Sequence, residues 1–199
     1  MHSQLRKTFI LIRGILIFPS IYLKIRTSKR IKLNLGSGVD YRKNYVNVDR
    51  SIKFKVDLLC SVNRGLKLCR NESVDEIILS HVINYMYPWE LETTLSLCRK
   101  KLKKSGFLII ENPDLEKVVN YLQNSQPVSE SFFESVRAIF GFGIDEIRNK
   151  KKYFPFRIGY RKQDLVQIAN QLNFSCKLEA PKIHNAIYKR DLRLILRKR

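Results

Sequence analysis

The chain alternates between short runs of aliphatic and β-branched residues and stretches whose apolar positions recur every three to four residues, the pattern of a parallel α/β sheet. Ile31-Lys32-Leu33-Asn34-Leu35 reads as a first strand and Tyr45-Val46-Asn47-Val48 as a second. A short third strand is expected to end near Val56-Asp57-Leu58. Glu76-Ile77-Ile78-Leu79 supplies a fourth, and Phe107-Leu108-Ile109-Ile110 a fifth. Between those two, Pro88 to Leu102 has helical spacing, with Leu91, Leu95, Cys98 and Leu102 along one face. Lys103-Lys104-Ser105-Gly106 then reads as a cationic last helical turn with a Gly stop. Beyond Pro113-Asp114, helix-like stretches run to about Phe140, and Gly141-Phe142-Gly143 marks a loop. Lys162 to Leu172 reads as a last helix, after which Phe174–Leu178 and Leu192–Leu196 can pair as a closing antiparallel hairpin. The pattern predicts one α/β domain over residues 31–199, a seven-stranded, mostly parallel sheet flanked by helices.

Residues 1–30 follow a different pattern and are read as a separate basic N-terminal segment. Leu5, Phe9, Ile12 and Leu16 share one helical face, while Arg6 and Arg13 lie seven residues apart on another. This describes an amphipathic interfacial helix able to lie on an anionic membrane surface, or a helix packed on the domain's own sheet. Arg13, Gly14 and Pro19 interrupt the apolar run, so neither a membrane span nor a signal peptide is expected.

Charge sharpens this picture. The formal net charge is +20, with 38 Lys and Arg against 18 Asp and Glu. The excess is concentrated in residues 1–30, in Arg148 to Lys162 and in Lys182 to Arg199, leaving the central strands nearly balanced. Such a field attracts polyanions, whether an anionic membrane surface, a phosphate-bearing glycolipid or RNA. Cys60, Cys69, Cys98 and Cys176 are scattered without metal-ligand spacing and read as buried, reduced thiols. No metal is therefore expected, and the location expected is cytoplasmic, with peripheral attachment to the inner membrane face.

The candidate chemistry starts at Leu33-Asn34-Leu35-Gly36-Ser37-Gly38, where two glycines follow a hydrophobic strand and let the backbone approach a ligand. A dinucleotide fingerprint wants a third glycine where Tyr41 stands, which disfavours a nicotinamide cofactor. The second strand ends on Asp49, placed to accept from both hydroxyls of a ribose, although an Asp there can also cap a turn.

In the order and spacing of its blocks, the chain from Lys32 to about Arg197 resembles the class I S-adenosylmethionine-dependent methyltransferases of the type 11 group, in particular small members associated with cell-surface polysaccharide clusters. The blocks are LNLGSG (33–38), VNVD (46–49), VDLL (56–59), NESVDEIILSHVINYM (71–86), LKKSGFLIIENPDLEKV (102–118) and DLRLILRK (191–198). The resemblance implies a Rossmann-like sheet and S-adenosylmethionine as cofactor. It implies that Gly36, Ser37 and Gly38 hold the methionine moiety, Asp49 the ribose, and Asp57 and Leu58 the adenine, with Ser80 and His81 lining the methyl-transfer site. The chain departs from the family pattern at Asn34, where an acid is usual, at Asp40, where a small residue is usual, and at Asn84-Tyr85, where Glu-His is common.

If the acceptor is a hydroxyl, a general base assists. His81 after the fourth strand is one candidate, with a structural hydrogen bond as its alternative role. Asp114 in Asn112-Pro113-Asp114 is another, with a helix N-cap as its alternative. The first functional expectation is O-methylation of a sugar in a cell-surface glycan or its lipid-linked precursor. The second is an RNA methyltransferase, motivated by the charge, and the third a non-catalytic methyltransferase-like binding module, motivated by the departures. Tyr153-Phe154-Pro155-Phe156-Arg157 interleaves aromatics with cations and is read as a stacking surface for sugar or base, or as core.

Overall fold

The computed structural model describes residues 19–127, 129–141, 155–183 and 190–199. Most of the expected N-terminal interfacial helix, and Tyr153 and Phe154, lie outside the described residues; the chain is helical over 19–27, denoted α1. No described helix is long and apolar enough to cross a membrane.

The sheet comprises β1 (Lys32–Leu35), β2 (Val46–Asp49), β3 (Leu58–Leu59), β4 (Val74–Ser80), β5 (Leu102–Pro113), β6 (Phe174–Glu179) and β7 (Asp191–Lys198). The helices are α2 (Val62–Leu68), α3 (Pro88–Lys101), α4 (Leu115–Gln123), α5 (Glu130–Phe140) and α6 (Lys162–Gln171), with a 3-10 turn over Ile83–Tyr85. Seven strands run in the order β3-β2-β1-β4-β5-β7-β6. Pairs from β3 to β5 are parallel, and β7 runs antiparallel to both β5 and β6. The fold class, the Rossmann-like sheet and the closing hairpin agree with the sequence expectation.

The strands read as near-continuous apolar runs because apolar clusters form on both faces of the sheet. Leu33, Leu35, Ile77, Leu79, Leu108, Ile110, Leu194 and Leu196 join the larger cluster together with Leu66 of α2, Leu91, Leu95 and Cys98 of α3, and Leu165 and Ala169 of α6. Ile25 of α1 also belongs to it. The other cluster is small, with Ile78, Ile109 and Ile195 under partly buried Tyr45, Phe107 and Ile183.

Two local expectations need correction. Lys103-Lys104-Ser105-Gly106 is no helical turn: α3 ends at Lys101, and these residues bulge from β5, because Val74 opposes Leu102 while Glu76 already opposes Phe107. Gly106 permits the bulge, since a Cβ there would stand 2.7 Å from the Val74 carbonyl oxygen. Secondly, α2 was not expected between β3 and β4; Ser61 caps it by accepting from the Arg64 amide. Of the four thiols, Cys69 and Cys98 are buried while Cys60 and Cys176 are half-buried. Burial pushes the Cys69 thiol up to about 11. Among the described residues no group of three or more His, Cys, Asp or Glu could hold a metal ion.

Candidate active site

In an open parallel sheet, ligands bind beyond the carboxyl ends of the strands where the strand order reverses. Here that point lies between β1 and β4. The turn after β1 takes Gly36 to φ +68° and Gly38 to φ +50°, the left-handed region that other residues avoid. The Gly36 and Ser37 amides donate to the Val48 carbonyl at 2.7 and 3.1 Å, which pins the turn to β2. A Cβ on Gly36 would overlap the Val82 side chain, whereas one on Gly38 would meet no atom within 4 Å. The hydroxyls of Ser37 and Ser80 are buried and find no hydrogen-bond partner among the described residues. Open space beside Gly38 and these two hydroxyls on neighbouring strand ends make a cradle that fits a polar ligand group.

Asp49 ends β2 within this cradle. Its Oδ2 accepts from the Gly38 amide at 2.9 Å and its Oδ1 from the Ser51 amide at 2.7 Å. A carboxylate has about four acceptor positions, so both oxygens can still receive a hydroxyl each. Two amides thus fix the orientation of the carboxylate. Tyr85 lies in the same field: burial raises its phenol, Arg50 opposes that shift and Asp49 adds to it.

Below the glycine turn runs a buried amide network that the sequence did not suggest. Asn34 and Asn47 are 1% and 0% exposed. The Asn34 amide donates to the Asp40 carbonyl at 2.6 Å and to Asn47 Oδ1 at 3.0 Å. Asn47 accepts from the Arg42 amide and donates to the Arg42 and Tyr45 carbonyls and to Asp57. The link over residues 36–45 contains no helix. Its backbone polar groups therefore depend on these side chains. This explains Asn34 where the resembled family carries an acid: an aspartate has no N–H to donate.

The same network claims Asp57. Its Oδ2 accepts from the Asn47 backbone amide at 2.8 Å and its Oδ1 from the Tyr41 hydroxyl at 3.0 Å. Asp57 precedes β3, opposite Asn47 and away from the carboxyl edge, and Leu58 is buried in the core. The edge beyond β3 is instead formed by Cys60 and Ser61. The structure thus brings Gly36, Ser37, Gly38, Asp49, Ser80 and His81 to one edge and leaves Asp57 and Leu58 beneath it.

His81 leaves β4 at φ +52°, an uncommon conformation for a residue with a side chain and one found at functional turns. Its Nε2 stands 2.7 Å from Oδ2 of Asp191, the first residue of β7. Asp191 is 1% exposed. Arg190 Nε lies 3.4 Å from its other oxygen, and Lys117 Nζ donates to its carbonyl at 3.1 Å. The Asp191 carboxylate can accept a hydrogen bond from a proton held on Nε2, which would orient the ring. Sequence reasoning did not reach Asp191; an acid opening the apolar strand DLRLILRK was the available signal.

Asp114, the other base candidate, caps α4 by accepting from the Glu116 amide. It is buried, and burial raises its carboxyl above the ordinary range. Farther along β5, Glu111 is 0% exposed. It accepts from the Lys182 and Ile183 amides at 3.0 and 2.6 Å and from Arg193 Nη1 at 2.7 Å. These bonds fasten the segment after β6 to the sheet.

No protein-family model and no curated protein matches the chain. Its fold is shared with solved structures. It is similar to a SAM-dependent methyltransferase from Archaeoglobus fulgidus, at 17% identity and TM-score 0.55, over 95% of this chain and 94% of that one. A protein from Pyrococcus horikoshii OT3 matches at 20% identity and TM-score 0.54, over 94% of this chain and 90% of that one. An S-adenosylmethionine-dependent methyltransferase from Clostridium acetobutylicum ATCC 824 matches at 14% identity and TM-score 0.54, over 92% and 89%. The chain therefore has the class I methyltransferase fold.

Proposed function

We propose that the protein is an S-adenosylmethionine-dependent methyltransferase that O-methylates a sugar of a cell-surface glycan or of its lipid-linked precursor. The observation that carries the cofactor reading is the carboxylate of Asp49, locked by the Gly38 and Ser51 amides at the sheet's switch point. In this reading Gly36, Ser37, Gly38 and Ser80 hold the amino-acid end and Asp49 the ribose. Asp57 acts at a distance by ordering Asn47 beneath the turn. Once bound, the cofactor supplies a sulfonium-activated methyl group, so the chemistry left to the chain is chiefly positioning.

His81 then accepts the proton of the acceptor hydroxyl, and buried Asp191 stabilises the imidazolium that results. The pairing supports His81 over Asp114 as the base. The basic segments at 1–30, 148–162 and 182–199 support attachment at an anionic membrane surface, where lipid-linked glycans are found.

Calorimetric titration with S-adenosylmethionine and S-adenosylhomocysteine tests the cofactor assignment. Micromolar binding is expected in the wild type, with strong losses in Asp49→Ala and in Gly38→Val, whose side chain fills the open side of the turn. A folded wild-type protein that binds neither compound would remove the enzyme reading. In the source organism, an Asp49→Ala allele should erase one methyl from a cell-surface glycan, and an unchanged glycan would refute the acceptor.

A further inference from the structure

An exposed aromatic stack stands at the start of α3, on the polypeptide that leaves the site at His81. Tyr87 and Trp89 lie face to face, with ring centroids 4.6 Å apart and planes 12° apart. The Arg157 guanidinium lies 4.2 Å from the Tyr87 ring centroid and pairs with Glu90 at 2.8 Å. Glu90 also accepts from the Tyr87 amide at 2.8 Å. Pro88 at the first helical position restricts Tyr87 to extended backbone, and Tyr87 is found at φ −68° and ψ 158°. The stack is therefore held by a cation, a ring, a proline and a carboxylate, yet Trp89 remains 63% exposed. A large ring braced so firmly and left facing water is the mark of a recognition surface.

The charge around Trp89 selects the ligand. The chain carries +20 overall, but Glu90 and Glu92 are close neighbours of Trp89 in α3, and Glu92 lies on its i,i+3 face. Among the described residues the cation at the stack is Arg157, already paired with Glu90. Phosphates following a stacked base would meet these carboxylates, so a nucleic acid is disfavoured at this spot. A neutral polyol is favoured: the apolar C–H face of a pyranose can lie on the indole while its hydroxyls donate to Glu90 and Glu92 and accept from Arg157.

We infer that the Trp89 face is a docking shelf for a neutral pyranose ring of the acceptor, one or more sugar units away from the ring presented to His81. This rests on the glycan-acceptor reading above and adds to it that the acceptor is an oligosaccharide rather than a single sugar. Trp89 is the chain's single tryptophan, so its fluorescence reports the shelf directly.

The full chain is titrated with neutral oligosaccharides of glucose, galactose, mannose and N-acetylglucosamine, with a single-stranded oligouridylate, and with phosphatidylglycerol vesicles. At least one oligosaccharide should give a saturable, salt-insensitive change in emission. By calorimetry, Trp89→Leu should weaken that sugar about tenfold, the scale of one lost aromatic stack, Trp89→Phe should restore part of the loss, and S-adenosylhomocysteine binding should be unchanged. The shelf is refuted if no oligosaccharide alters the emission of protein that binds S-adenosylhomocysteine, or if Trp89→Leu binds the sugar as the wild type does. It is equally refuted if oligouridylate or the vesicles alone give the saturable response, weakened by salt. A protein that binds sugar through Trp89 but binds no S-adenosylhomocysteine would keep the shelf and discard the methyl transfer.

Discussion

The two halves of the sheet's carboxyl edge are built by different means. On the β1–β2–β3 side the crossovers over residues 36–45 and 50–57 contain no helix, and side chains tie the loops to backbone groups: the amides of Asn34 and Asn47 and the carboxylates of Asp49 and Asp57, beside two left-handed glycines. On the β4–β5–β7 side ionisable side chains meet across strands, with the His81 ring against Asp191 and Glu111 against Arg193. The first half shapes backbone around a ligand, and the second fixes ionisable groups in chosen positions.

If this division is right, substitutions on the two sides should separate binding from turnover. Asp191→Asn should lower kcat by about 10²- to 10⁴-fold, the usual worth of a general base, while calorimetry still finds wild-type affinity for S-adenosylhomocysteine. A parallel loss of both would erase the distinction. Glu111→Ala should come next: it leaves Arg193 with Glu179 at 3.6 Å, unpairs the Lys182 and Ile183 amides, and should cost about 3 kcal/mol in urea unfolding.

On the β1–β2–β3 side, Gly36→Ala should cost about 3 kcal/mol, the sum of overlap with Val82 and an unfavourable φ. In a Val82→Ala background the overlap should vanish, and a residual of about 1–2 kcal/mol from φ should remain. Asn34→Asp should cost about 2 kcal/mol, because it removes both donors from the network. An aspartate that stabilised the fold would show that the loop does not depend on those bonds.

The smallest effect belongs to Asp75 at the start of β4. Burial opposes the shift, but Lys103 and the Ile31 amide hold its carboxyl below its ordinary value of 3.8. A lowered carboxyl contributes stability above its unfolded value, and that contribution is lost as pH falls through the folded one. Asp75→Asn should therefore lower stability slightly at neutral pH and flatten its fall as pH drops below the ordinary carboxylate value, read by urea unfolding at several pH values.

Much of the fold was legible because apolar periodicity reports the strands β1, β4, β5 and β7 and the face of α3 directly. The Lys103–Gly106 bulge was not, since four residues facing one are a matter of pairing rather than of pattern. Gly36, Gly38 and Asp49 stood out because residue type and position after a strand both point to ligand contact. Asp191 did not, since its partner His81 lies 110 residues away in sequence. Asp57 shows what sequence order leaves out: it stands next to β3 in the chain, and the structure places it opposite Asn47, one residue before that strand.

The order β5-β7-β6 also bears on how the protein is made. β6 leaves the ribosome before β7 but borders only β7 in the sheet, so it waits without a partner strand until Asp191–Lys198 follows. The residue that begins the awaited strand is the same carboxylate that faces His81. A nascent chain with the sheet still open thus leaves the His81 ring without this carboxylate, and the pairing arrives with the strand that closes the fold.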